Sequence, residues 1–232
     1  MTGGEYYRQI IAEVRWRGNY FKATQPDGFS FMGHPRKEYV VGKTTEAQGD
    51  GNALCGAGLL HFSDVPSETL TSGKWPARLF EVRGEIVAGF NDEHPYKGGA
   101  KRLFVVRELP PWLSLGPNGR IVAAFIAALP TLNVAAWGAA RDAARASDRR
   151  AAWRAARASA WDAARDAARD AAWDAAWDAA WDAAWDAARA LVVADLITPE
   201  HLATLYAPFE PVLPLAELRK RAIAAFPMEA KK

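Results

Sequence analysis

"RLFEVRGEIVAGF", residues 78–90, sets the class of the first half of the chain. β-Branched and aromatic side chains crowd this run, and such residues suit a pleated, half-buried surface. Comparable runs stand on either side: "IIAEVRW" (10–16), "EYVVG" (38–42) and "KRLFVVREL" (101–109). Turn formers separate them, with "PDG" at 26–28, "GDGN" at 49–52 and "GPNG" at 116–119. "VPSETLTSG" (65–73) predicts one short helix, with Pro66 near its start and Gly73 past its end. The reading is α+β, with a small, mostly antiparallel sheet domain over residues 1–116.

A different composition follows. "RIVAAFIAAL" (120–129) predicts a buried helix stopped by Pro130. From 137 to 190 every fourth residue is Trp or Arg, and "WDAAWDAAWDAAWDAA" occupies 173–188. Ala is the best helix former and no Pro interrupts the array, so it predicts helix. Four residues turn a helix by about 400°, so the Trp stripe advances about 40° per unit and winds right-handedly. The array must therefore supercoil around a partner or break into shorter helices, and "ARASDRR" (144–150) is the favoured break. "TPEHLATLY" (198–206) and "PLAELRKRAIAAF" (214–226) predict short C-terminal helices around a "FEPVLP" loop, with Leu215, Leu218, Ile223 and Phe226 as apolar anchors of the last. The organisation expected is a recognition domain (1–116), an Ala/Trp-rich helical region (117–197) and a helical tail (198–232).

The array holds seven of the ten tryptophans, enough for an apolar patch larger than monomers usually expose. Trp153, Trp161, Trp173, Trp177, Trp181 and Trp185 are the expected interaction residues, since Trp and Arg dominate binding hot spots. Residues 137–161 carry a net charge of +4 and residues 162–190 a net charge of −4. Antiparallel packing of two arrays sets each basic half beside an acidic one, so the expected partner is a second copy of the chain, with a hairpin as the alternative. Slippage duplication without a specific role and DNA mimicry by the regularly spaced aspartates are competing readings. The interleaved arginines count against mimicry.

The whole chain has 29 Lys plus Arg against 27 Asp plus Glu, a net charge of +2, which gives no global electrostatic case for nucleic acid or an anionic membrane. Cys55 is the only cysteine, which excludes an internal disulfide. No run reaches the eighteen or so apolar residues of a membrane span, and the first thirty residues lack a signal-peptide core. A cytoplasmic protein without a membrane partner is the expectation.

Candidate chemistry in the first domain is sparse. "VGKTT" (41–45) ends like a phosphate-binding loop, but Lys37 stands where that loop needs Gly, so a turn at a strand end is the better reading. Cys55 and His61 could pair as thiol and imidazole, against the alternative of a small buried Cys. His34, His61 and His94 with Asp64 and Asp92 match no standard ligand spacing, so no metal is expected. Lys97, Lys101, Arg102 and Arg107 could attract an anion or form a solvated strand edge.

The order "FSFMGHPRKEYVVGKT", "ALCGAGLLHFSD", "RLFEVRGEIVAG", "KRLFVVREL" resembles, over residues 19–109, an uncharacterised small domain of phage and bacterial proteins that precedes low-complexity repeats. The resemblance implies a phage or bacterial accessory role and no activity. "GLLHFSD" followed by "LFEVRGE", together with "WRG" (16–18), is also similar to the ADP-ribosyltransferase fold. That similarity implies NAD as cofactor, Arg17 helping to bind it, His61 in the "GLLHFSD" turn, and Glu108 orienting the ribose; the tyrosine of the helix after that turn and an S-T-S are missing here. The expected function is a non-catalytic interaction and assembly protein without a cofactor, with an NAD-dependent transferase as the alternative.

Overall fold

The computed structural model describes residues 1–33, 35–71, 73–146 and 179–228. The chain divides into a unit of residues Met1–Ser114 and a unit of Leu115–Pro227. The class is α+β, with an antiparallel seven-stranded sheet in the first unit.

The first unit opens with helix α1, Gly3–Trp16. "IIAEVRW" is therefore helical and not a strand. The cause lies just upstream. Thr2 Oγ1 accepts the Glu5 N–H at 3.2 Å, and the Glu5 carboxylate accepts the Thr2 N–H, which satisfies two otherwise orphaned donors. Tyr6, Tyr7, Ile10 and Val14 then fall on one buried face at helical spacing. Gly18, at φ +66°, ends the turn that leads into the sheet.

The strands are β1 (Tyr20–Thr24), β2 (Thr44–Glu46), β3 (Leu60–Ser63), β4 (Arg78–Arg83), β5 (Ala88–Gly89), β6 (Lys97–Ala100) and β7 (Arg102–Leu109). Their order across the sheet is β2-β7-β4-β1-β3-β6-β5. "EYVVG" contributes only a bridge from Glu38 to Phe29, then turns at Val40–Lys43 with Gly42 at φ +80°. That turn feeds β2, as the sequence of 41–45 predicts. Pro66–Leu70 is a 3-10 helix, also as expected. Tyr39, Leu60, Phe62, Phe80, Val82, Ala100, Leu103 and Val105 form the core of the sheet.

The two sides of β1 are unequal. It pairs with β4 over all five residues, Tyr20↔Val82 to Thr24↔Arg78. On its other side it pairs with β3 at one position, Phe21↔Ser63. Beyond that pair no register joins β1 to β3, and residues of both strands line a cavity.

The second unit contains α2 (Gly119–Ala128), α3 (Val134–Ala146), α4 (Ala179–Val192), α5 (Pro199–Tyr206) and α6 (Leu215–Ala225). Helix α2 packs on α4 and α6, and α4 also packs on α3 and α5. Thr198 caps α5 by accepting the His201 N–H, with Pro199 at the first helical position. Phe125, Tyr206 and Phe209 cluster, with the Phe125 and Phe209 rings edge to face at 5.1 Å. In α6 the buried residues are Leu218 and Ala222, whereas Ile223 is exposed, so Ile223 is not the anchor its apolar character suggests. The two described ends of the array, in α3 and α4, are helical; of the break expected at 144–150, residues 144–146 are helical and 147–150 lie outside the described residues, as do Trp153, Trp161, Trp173 and Trp177. Among the described residues no helix is long and apolar enough to cross a membrane.

Candidate functional site

A cavity of about 800 Å³ opens where β1 and β3 part. Lys22 and Ala23 of β1 line one side, and Leu60 to Ser63 of β3 and Lys97 of β6 line the other. Phe31, Lys37, Tyr39 and the loop carrying Cys55 complete the walls. That loop closes on itself at Gly58, φ +103°, where a Cβ would stand 2.5 Å from the Gly51 carbonyl oxygen. Cys55 itself adopts φ +68°, a left-handed conformation uncommon for a side-chain-bearing residue.

The electrostatics of this cavity differ from those of the rest of the sheet. Several cations elsewhere in this unit are matched. Arg78 holds Glu108 through two hydrogen bonds at 2.9 and 2.7 Å, Arg102 pairs with Glu46, Arg15 with Asp64, and Arg17 and Arg107 with Glu81. Lys22 and Lys97 have no carboxylate partner among the described residues. The Lys22 Nζ lies 5.4 Å from the centre of the Tyr39 ring, and the Lys97 Nζ donates to Cys55 Sγ at 3.0 Å. Desolvation, reinforced by the charge of Lys97, pushes the Lys22 pKa down to about 8. Burial, then the charges of Lys97, Lys22 and His94, push His61 down to about 4, so its imidazole is neutral at neutral pH. His61 Nε2 accepts the Cys55 N–H at 3.1 Å, which places the imidazole proton on Nδ1.

Cys55 and His61 are thus neighbours, as expected, but the imidazole meets the backbone N–H of Cys55 and the thiol meets Lys97. The thiol is also exposed, so the alternative of a small buried Cys does not hold. His61 and His94 line the cavity, while His34 lies outside the described residues. Among the described residues no three His, Cys, Asp or Glu side chains group around a common point. Arg17 and Glu108 are not part of the cavity lining and do not converge on His61; Arg17 serves Glu81 and Glu13, and Glu108 serves Arg78. Of the basic residues near β6 and β7, only Lys97 reaches the cavity. Lys101 donates to the Gly51 carbonyl, and Arg102 and Arg107 are ion-paired. Strand β7 is interior to the sheet, so these residues do not form a sheet edge. Sequence reasoning misses Lys22; its signal is a lone lysine inside the strand "YFKAT".

In the second unit Trp185 is 8 % exposed, with the Arg189 guanidinium 4.8 Å from the centre of its ring. Trp185 is thus buried and not presented on an open apolar face. No known protein family, curated protein or solved structure matches this chain.

Proposed function

We propose that the chain is a non-catalytic interaction and assembly protein whose first unit binds a small anionic ligand in the β1/β3 cavity. One observation carries the reading: among the described residues neither Lys22 nor Lys97, both in the cavity lining, forms an ion pair with a carboxylate, although Glu68 and Glu93 line the cavity too. A desolvated ammonium is costly unless its charge is met, and a phosphate or carboxylate ligand meets it. The setting suggested by the sequence resemblance is a phage or bacterial accessory protein. Isothermal titration of the full chain with inorganic pyrophosphate should show binding that weakens with added salt. Lys97→Ala should reduce affinity by roughly tenfold or more, the loss of one charge-assisted contact. Absence of binding overturns the reading. Incubation with NAD in the same buffer tests the transferase alternative, and nicotinamide release abolished by His61→Ala would replace binding by catalysis.

The Trp/Arg/Asp array is proposed to self-associate antiparallel, its basic half against the acidic half of a second copy; the packing of α4 on α3 within one chain favours the hairpin as the second reading. Light scattering should give a dimer at high micromolar concentration, and Trp177→Ala with Trp181→Ala should weaken it more than salt does. Exposed ion pairs contribute at most about 1 kcal/mol each, so they orient the pair while Trp burial supplies affinity. A monomer at low salt excludes the dimer.

A further inference from the structure

We infer that Lys22 binds its ligand covalently, its ε-amine forming an imine with a small aldehyde or ketone whose phosphate or carboxylate is held by Lys97. This rests on the anion-binding reading and adds a reaction to it. Lys22 is placed by the strand and not by solvent: it sits mid-β1, paired in register with Phe80, between buried Phe21 and Ala23. Arg78, Arg102 and Arg107 on β4 and β7 each have a carboxylate, yet this interior lysine faces an open cavity and a second ammonium. Beneath it lies Tyr39, which burial keeps in its neutral, protonated form. The second ammonium strengthens the pull on an anion, and together with desolvation it also favours the unprotonated, nucleophilic form of the Lys22 amine. The depressed Lys22 pKa is the consequence.

The step needs no oxidant or reductant. The Nζ lone pair attacks the carbonyl carbon, the C–N bond forms as the C=O π bond breaks, and one of the two amine protons passes to the oxygen to give a carbinolamine. The second amine proton then passes to that hydroxyl, the C–O bond breaks to release water, and the nitrogen lone pair completes the C=N bond of the imine. Lys97 meets the anionic group, with Lys37 and His94 on the same walls outnumbering the carboxylates Glu68 and Glu93 there. Lys22 therefore contributes the bond and Lys97 the orientation.

Pyridoxal 5′-phosphate is a suitable probe because it carries both an aldehyde and a phosphate. The full chain is incubated with it at graded pH, reduced with borohydride, and mapped by peptide mass spectrometry. Lys22 should be labelled roughly tenfold faster than exposed Lys43 or Lys220, because more of its amine is unprotonated at neutral pH. The rate should rise with pH and level off above about 8, and pyrophosphate should slow it. Lys22→Arg should lose the fast adduct. Pyrophosphate binding with Lys22 labelled no faster than Lys43 overturns the inference and leaves anion binding standing. Absence of both pyrophosphate binding and protection by it overturns the anion reading, and the inference with it. The wild-type map decides alone if the variant fails to fold.

Discussion

Replacing Arg107 with Met is expected to destabilise the first unit by about 3 kcal/mol, because it strips the nearest cation from a buried carboxylate. Glu81 on β4 is fully buried. Burial opposes its ionisation, but hydrogen bonds from Asn19 and Arg107 and the charges of Arg107 and Arg17 prevail and hold its pKa below the usual carboxylate value. Arg107 Nε donates at 2.6 Å and Asn19 Nδ2 at 2.6 Å, while Arg17 is farther, at 3.3 Å. Without Arg107 the carboxylate keeps only the weaker cation. Glu81→Gln should cost less, about 1–2 kcal/mol, since the buried group is then neutral and the two arginines, each about 40 % exposed, can be hydrated. Urea unfolding of the full chain gives the comparison, provided the slope is unchanged. An Arg107→Met cost no greater than that of Glu81→Gln would refute the account. The network bears on the cavity because Glu81 pairs in register with Phe21, the residue beside Lys22.

Local signals in the sequence are legible where one residue dictates the backbone. Thr198 and Pro199 start α5, Pro66 starts the 3-10 helix, and Gly42 makes the turn before β2. Residues 10–16 mislead because β-branched Ile10, Ile11 and Val14 suggest a strand. The capping box at Thr2 and Glu5 outweighs that preference, and its recognition needs the residues ahead of the apolar run. The cavity is illegible for another reason. Lys22, Tyr39, Cys55, His61 and Lys97 come from separate stretches, and only the order β1-β3-β6 and the parting of β1 from β3 bring them together. Arg17 and Glu108, singled out by similarity to a fold, are held in ion pairs with Glu81 and Arg78. Lys22 does leave a trace, since a lysine in an otherwise buried strand must be explained by a partner or a ligand.

Acidification should cost the first unit about 2 kcal/mol through His61 alone, a figure reduced from the full shift because the imidazole keeps some solvent contact. Its folded pKa is depressed to about 4, against about 6.5 in an unfolded chain. Between those values the unfolded chain binds a proton that the folded chain excludes. Stability is therefore intact above about 6.5 and falls as the pH drops towards 4. Lys22, Lys97 and His94 are the charged groups that resist the imidazolium, and the Cys55 N–H occupies Nε2. His61→Gln removes the titration while its amide oxygen can still accept that N–H. Urea midpoints at neutral pH and near pH 4.5 should show a smaller acid loss in the variant than in the wild type. Equal losses would mean that His61 does not govern the acid limb. A ligand sharpens the test. Pyrophosphate in the cavity offsets the two lysines, which should raise the His61 pKa and shrink the acid loss in the wild type. The same addition should leave the acid loss of His61→Gln nearly unchanged, because in that variant no imidazole is left for the bound anion to stabilise.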